Sequence, residues 1–216
     1  MKSFYIKCLA VILVIAIAIG FGFAYDASLT LIEKLNYPMP EQYAEFISYY
    51  SQKYSVPERI LYATIKTESN FDSGAVSRAG AIGLMQMMPS TFEWISCDLL
   101  REDLDVGMLY DPETNIRLAG KLLKQIDKTL KISPSTPIED RLSIILACYN
   151  GGIGHVSDAR RLAKSNGENH NSWEVVARYL KMKADPAIYE SELVRYGKFT
   201  GSRQTEAYVR EVMKRY

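Results

Sequence analysis

Glu68 closes an apolar stretch that runs from Ile60 to Thr67, and the glycine-framed segment Gly80-Ala81-Ile82-Gly83-Leu84-Met85-Gln86-Met87-Met88-Pro89 follows shortly after. An acid at the mouth of a buried helix, facing a loop of Gly, Gln and Met, makes poor surface. It suits a carboxyl group that must stay protonated near neutral pH, because burial disfavours the charged form and raises the pKa. A carboxylic acid held neutral is what protonation of a glycosidic oxygen requires.

The elements that must position Glu68 read as helices. Glu41 to Tyr54 places Tyr43, Phe46, Ile47 and Tyr50 on one face. Pro57 stands where a first helical residue belongs and opens the segment ending at Glu68. Asn70 to Ala79 is loop-like, and Pro89 starts a short helix through Trp94. Asp111-Pro112 opens another, with Ile116, Ala119, Leu122, Leu123, Ile126 and Leu130 recurring at three and four. Ile138 to Cys148 resumes the pattern until Gly151, Gly152 and Gly154 stop it. Further helices are expected near Val156 to Lys164, Ser172 to Leu180 and Thr205 to Tyr216, with Cys97 to Leu109 and Lys183 to Gly201 left as loops. No run alternates over a strand's length, and Ile82 to Met87 forms at most a small hairpin. The expected fold is all-α.

The whole chain narrows the function classes. Its 216 residues suffice for one well-buried domain. Lys plus Arg number 26 against 25 Asp plus Glu, and the basic residues are dispersed, so nucleic acid is not an expected partner. Fifteen tyrosines are many for this length; aromatic faces suit sugar rings, although most tyrosines serve as half-buried structure. Lys2 and Lys7 precede an uncharged run from Cys8 to Ala24, and Gly22-Phe23-Ala24 offers small residues where a signal peptidase reads. Residues 1–24 are therefore expected to be a signal peptide or an N-terminal membrane anchor, with 25–39 a tether and 40–216 the folded domain. Either role for the leader sends the domain out of the cytoplasm, to the periplasm or cell envelope. Cys97 and Cys148 could pair, but the place of Cys148 inside an apolar helix favours two free thiols. His155 and His170 have no partner at metal-ligand spacing, so no metal is expected, and His155 reads as exposed.

Taken together, Glu68-Ser69-Asn70-Phe71, Ala75-Val76-Ser77 and Gly80 to Pro89 resemble the first two motifs of the soluble-lytic-transglycosylase catalytic domain, of the lysozyme-like superfamily. Ala147-Cys148-Tyr149-Asn150-Gly151-Gly152 resembles its third motif, Ala-Tyr-Asn-Ala-Gly. Each signal is weak alone; all in order and spacing are specific. The resemblance covers about Tyr43 to Tyr216. It implies an α-rich lysozyme-like domain in which Glu68 is the single catalytic acid/base. It implies that Ser77, Gln86 and Met88 line a sugar cleft, that Tyr149 stands near the carboxyl, and that Asn150 closes the tyrosine's helix. Tyr149 is positioned to bond Glu68 or the reacting sugar. A structural role competes at Gln86, and a core role at Met85, Met87 and Met88. The family's fourth motif, Glu-Thr-Arg-x-Tyr-Val, is only partly present. Aligning on Tyr208-Val209 carries Tyr208 over but puts Gln204 where the family has Glu and Glu206 where it has Arg.

A two-carboxylate glycosidase needs a second acid at roughly 5–9.5 Å. The motif residues Gln86, Ser77, Tyr149 and Asn150 are neutral, and Asp72 lies in a turn that suits a solvated cap. One acid without a second points to a reaction that positions neither a water nor an enzyme nucleophile. The resemblance supplies one: non-hydrolytic cleavage of the β-1,4 bond between N-acetylmuramic acid and N-acetylglucosamine in peptidoglycan glycan strands, giving 1,6-anhydromuramyl ends, with no cofactor. The alternatives are a goose-type-lysozyme-like hydrolase and an inactive peptidoglycan-binding or assembly module. Membrane attachment through the leader and a partner within an envelope complex are compatible with all three.

Overall fold

Two helices that each bury an unbroken run of residues form the centre of the domain, and a run buried on every side has to be surrounded. In the computed structural model, which describes residues 38–216, they fall within one compact unit spanning Gln42–Tyr216. The expected leader and most of the tether lie outside the described residues. In chain order the helices are α1 (Glu41–Tyr54), α2 (Glu58–Glu68), α3 (Pro89–Glu93), α4 (Pro112–Leu130), α5 (Ile138–Gly151), α6 (Ile153–Ser165), α7 (Trp173–Met182), α8 (Pro186–Tyr189) and α9 (Ser202–Met213). The central pair is α2, buried from Ile60 through Ile65, and α5, buried from Leu142 through Cys148.

The surrounding helices are amphipathic. α4 is capped by the Asp111 side chain, which accepts from Thr114 N at 2.8 Å, and Pro112 occupies its first turn. Its buried face carries Ile116, Ala119, Leu123, Ile126 and Leu130. Gly120 lets Tyr54 approach, since a Cβ there would stand 3.0 Å from the tyrosine ring. α9 buries Thr205, Tyr208, Val209 and Val212, one stripe at three and four, against α2 and α5. α6 and α7 pack on each other and on α5.

Among the described residues the only β-structure is two isolated antiparallel bridges, Val76 with Ile82 and Ile82 with Met87. The fold is all-α, as expected. Boundaries moved where glycine was read as a stop. Gly152 alone, at φ 89°, separates α5 from α6, whereas Gly154 lies inside α6. The two expected loops hold local structure: a π-helical turn over Trp94–Leu100, a 3-10 turn over Val106–Tyr110, and α8. Cys97 and Cys148 are both free, Cys97 exposed and Cys148 buried.

Asn115 joins these parts. It is fully buried in α4; its Oδ1 accepts from Met85 N at 2.8 Å, and its Nδ2 donates to Ile82 O at 3.0 Å and Leu109 O at 2.8 Å. Gly83 is required beside it, because its φ is 80° and a Cβ would collide with the Asn115 amide and the Leu109 carbonyl. Asn115→Ala strands Met85 N and Leu109 O and leaves Ile82 O with Met87 N alone, and we expect a loss of roughly 2–4 kcal/mol in urea denaturation. A loss below about 1 kcal/mol would show that the hairpin is held by other contacts.

Candidate active site

Glu68 is the last residue of α2, half-buried where the helix meets the hairpin. The chain leaves the helix abruptly. Ser69 Oγ donates to Leu84 O at 2.8 Å, fastening the helix end to the glycine-framed segment. Asn70 and Phe71 then adopt left-handed backbone, φ 52° and 68°. Phe71 accommodates that conformation by packing its ring on Tyr43, stacked at 6.1 Å, and on Tyr62 at 5.4 Å. The direction in which Glu68 points is thus fixed from both sides.

Burial raises the Glu68 carboxyl from 4.5 to about 7, and the hydroxyl of Tyr208 opposes that rise. No second carboxylate enters the balance. Tyr208 is 8% exposed, and its hydroxyl faces Glu68 and Thr64 without closing a hydrogen bond of ordinary geometry. The Thr64 hydroxyl, one helical turn before Glu68 and fully buried, is likewise unpartnered. Burial, and then the Glu68 charge, push the Tyr149 and Tyr208 hydroxyls well above the usual phenol range, so both stay protonated donors. The arrangement is a proton-bearing acid among neutral hydroxyls.

The sequence candidates divide on inspection. Tyr149 stands beside Glu68, but its hydroxyl donates to Met85 O at 2.7 Å. It ties α5 to the hairpin, so the hydroxyl's proton goes to backbone rather than to Glu68. Gln86, at φ 47°, donates through Nε2 to Ala75 O and Gly83 O, both at 3.1 Å, bracing the turn from within. Ser77 Oγ accepts from Ala81 N at 2.9 Å. Met85 and Met87 are core, and Met88 is exposed at the hairpin's end. Asn150 Oδ1 accepts from Thr205 Oγ1 at 3.0 Å, joining the end of α5 to α9. Gln204 is exposed, and Glu206 is half-buried.

Thr205, Thr64 and Asn115 were missed by sequence reasoning. Each is a polar residue at an apolar position of its helix, a pattern that reads as an interruption until its partner is seen. His155 also departs from expectation. It is half-buried, with Nδ1 3.0 Å from Lys183 Nζ and its ring 4.6 Å from that of Phe199. Among the described residues no group of three His, Cys, Asp or Glu side chains is placed to hold a metal ion.

The all-helical domain is similar in fold to two solved structures. The lytic transglycosylase Slt of Pseudomonas aeruginosa, solved as an inactive mutant, matches with a TM-score of 0.58 and 21% identity over 83% of this chain and 24% of that one. The 70 kDa soluble lytic transglycosylase Slt70 of Escherichia coli matches with a TM-score of 0.51 and 24% identity over 79% of this chain and 22% of that one. At these identities the likeness concerns the fold. The family follows from sequence: the Transglycosylase SLT domain model matches residues 45–172, and the chain belongs to that family. The membrane-bound lytic murein transglycosylase F of Maricaulis maris is 37% identical over 138 residues, covering 64% of this chain and 27% of the relative. The protein of the same name from Alcanivorax borkumensis is 33% identical over 158 residues, covering 73% and 31%. The chain therefore spans less than a third of these relatives' length.

A raised native-state pKa makes the domain most stable, as far as Glu68 is concerned, below the unfolded value of 4.5, with stability lost as pH rises towards about 7. Glu68→Gln removes that loss. In paired denaturation curves the variant should gain on the parent between those two pH values and level off above them, at about 2–3 kcal/mol. A constant difference between the two would mean that the carboxyl titrates normally.

Proposed function

We propose that this protein is a peptidoglycan lytic transglycosylase with Glu68 as its only acid/base. The observation that carries this reading is the carboxyl itself: pushed up to about 7 by burial, with no second acid acting on it, in a chain of the SLT family. The relatives' names, which include lytic murein transglycosylase, point to the same substrate.

The protonated Glu68 donates to the oxygen of the β-1,4 bond between N-acetylmuramic acid and N-acetylglucosamine, and the bond from that oxygen to the anomeric carbon breaks. The N-acetyl oxygen of the muramyl unit supports the anomeric centre. Glu68, now a carboxylate, takes the proton of the muramyl 6-hydroxyl as that oxygen closes on the anomeric carbon. The proton returns to the enzyme and no water is consumed. A pKa of about 7 suits a group that acts first as acid and then as base. Met88, Ser77 and Gln86 belong in this scheme to the hairpin that walls the cleft, and Tyr208 and Tyr149 to the neutral surroundings of the acid. Tyr149 and Asn150 act by fixing α5 against the hairpin and α9. The relatives' description as membrane-bound supports a site of action in the cell envelope, reached through the leader as signal peptide or anchor.

Mass spectrometry of fragments released from purified sacculi tests the reaction. Anhydromuramyl ends, lighter than reducing ends by one water, are expected; ordinary reducing ends throughout would instead make the protein a hydrolase. Glu68→Gln should lower release by about a thousandfold, because the amide cannot donate and recover a proton. Equal release by both proteins removes Glu68 from the chemistry. For the parent, kcat/KM should fall as pH rises through about 7, where the resting acid loses its proton.

A further inference from the structure

Asp158, on α6, is fully buried yet accepts from four donors. Its Oδ1 takes Arg161 Nη1 at 2.6 Å and Arg195 N at 3.0 Å; its Oδ2 takes Lys183 Nζ at 2.7 Å and Tyr196 N at 2.9 Å. Lys183 is fully buried too. Buried pairs of this kind carry a desolvation penalty and are weak evidence for stability. This one fixes position: two of its four bonds hold the backbone of Arg195 and Tyr196. Arg161 adds a bond to Leu193 O, and Phe199 N donates to Lys183 O at 3.1 Å, so the segment from Leu193 to Phe199 is pinned along its length.

The pinned segment presents Tyr196. Its ring lies on Gly154, where any Cβ would collide with it, and meets the His155 ring edge-on at 6.5 Å and 67°. Although seated on backbone, Tyr196 remains 60% exposed. Packed residues, with Tyr208 and Thr205 among them buried, connect it with Glu68. Tyr208 faces Glu68, and Thr205, one turn earlier on α9, bonds Asn150. The adjacent Gly151 has room for no Cβ, which would stand 2.9 Å from Thr205 Oγ1 and 3.2 Å from the Phe199 ring. Phe199 in turn packs its ring, tilted, on that of His155, beside Tyr196.

We propose that Tyr196 is a saccharide-stacking platform that extends the cleft beyond Glu68 and takes an N-acetylhexosamine ring remote from the cleaved bond, held in place by the Asp158 hub. It rests on the transglycosylase reading of the site. A rigid aromatic face with a polar rim is the surface that a sugar ring, apolar on its faces and hydroxylated at its edge, packs on. Because these packed residues join it to Glu68, the occupant assigned to it is the glycan strand that the acid acts on.

The test uses the full chain carrying Glu68→Gln, so that binding is read without turnover, with chitotriose and chitohexaose as probes in calorimetry. Adding Tyr196→Ala should weaken hexasaccharide binding about tenfold while changing trisaccharide binding by less than about twofold, and Tyr196→Phe should restore it. Should the alanine variant fail to fold, Tyr196→Leu, which still covers Gly154 but offers no ring, is expected to show the same selective loss. Hexasaccharide affinity unchanged by loss of the ring, or equal weakening for both sugars, overturns the platform and leaves the reaction at Glu68 standing. So does a loss seen only with sacculi bearing peptide stems, which would assign the surface to peptide. Absence of anhydro products from the parent, with no binding of either sugar by the Glu68→Gln chain, defeats the transglycosylase reading and the platform with it.

Discussion

A carboxyl group without a countercharge, kept where water is scarce, sets the terms for everything packed around it. Three helices bring one residue each: α2 brings Glu68, α5 brings Tyr149 and α9 brings Tyr208. The tyrosines are neutral, and must be, because an arginine or lysine at either place would pull the proton off the acid and drop its pKa. The domain bears a cost for this. The Thr64 and Tyr208 hydroxyls are buried without partners, and each such group costs about 1–3 kcal/mol. Two such groups facing one another beside Glu68 are the cost of surrounding the carboxyl with neutral hydroxyls.

That cost is tolerable because the hairpin opposite is over-determined. Asn115 holds it from α4, Tyr149 from α5 and Ser69 from the end of α2, while Gln86 and Ser77 brace it internally. The motif residues that resemblance assigns to sugar binding thus spend much of their hydrogen-bonding capacity on shape. The two assignments are compatible: a backbone-lined cleft is built by side chains that position backbone. The fourth motif follows the same logic. Gln204 stands where the family has an acid and is exposed, while Thr205 and Tyr208 face inward to Asn150 and Glu68. The inward face of α9, and not Gln204, is what meets Asn150 and Glu68.

How much of this was legible in the sequence depends on the range of the interaction. The helical class and the lone acid were readable, because amphipathic periodicity and an acid closing an apolar stretch are local signals. Helix ends at glycine were read less well: Gly152 needs left-handed backbone and stops α5, whereas Gly154 is required by the ring of Tyr196 and sits inside a helix. Long-range pairs were not readable at all. Asn115 and Met85 are 30 residues apart, Tyr149 and Met85 are 64 apart, and Asp158 is 37 from Arg195. Nothing in the composition near Asp158 or Lys183 distinguishes them from solvated charges; only the fold buries both. His155, expected to be exposed, was carried inward with them.

The weak contact between Tyr208 and Glu68 follows from the double duty of the acid in the proposed reaction. A strong hydrogen bond from the phenol to the carboxylate would stabilise the charged form and pull the pKa down, favouring ionisation before any sugar is bound. With no donor at all, the carboxylate formed by the first proton transfer would stand unsupported in a dry site, and that transfer would be uphill. A protonated phenol beside the carboxyl, not yet in bonding geometry, lies between these limits. It leaves the resting acid near 7 and can tighten when charge develops, which places the interaction on the charged intermediate rather than on the free enzyme.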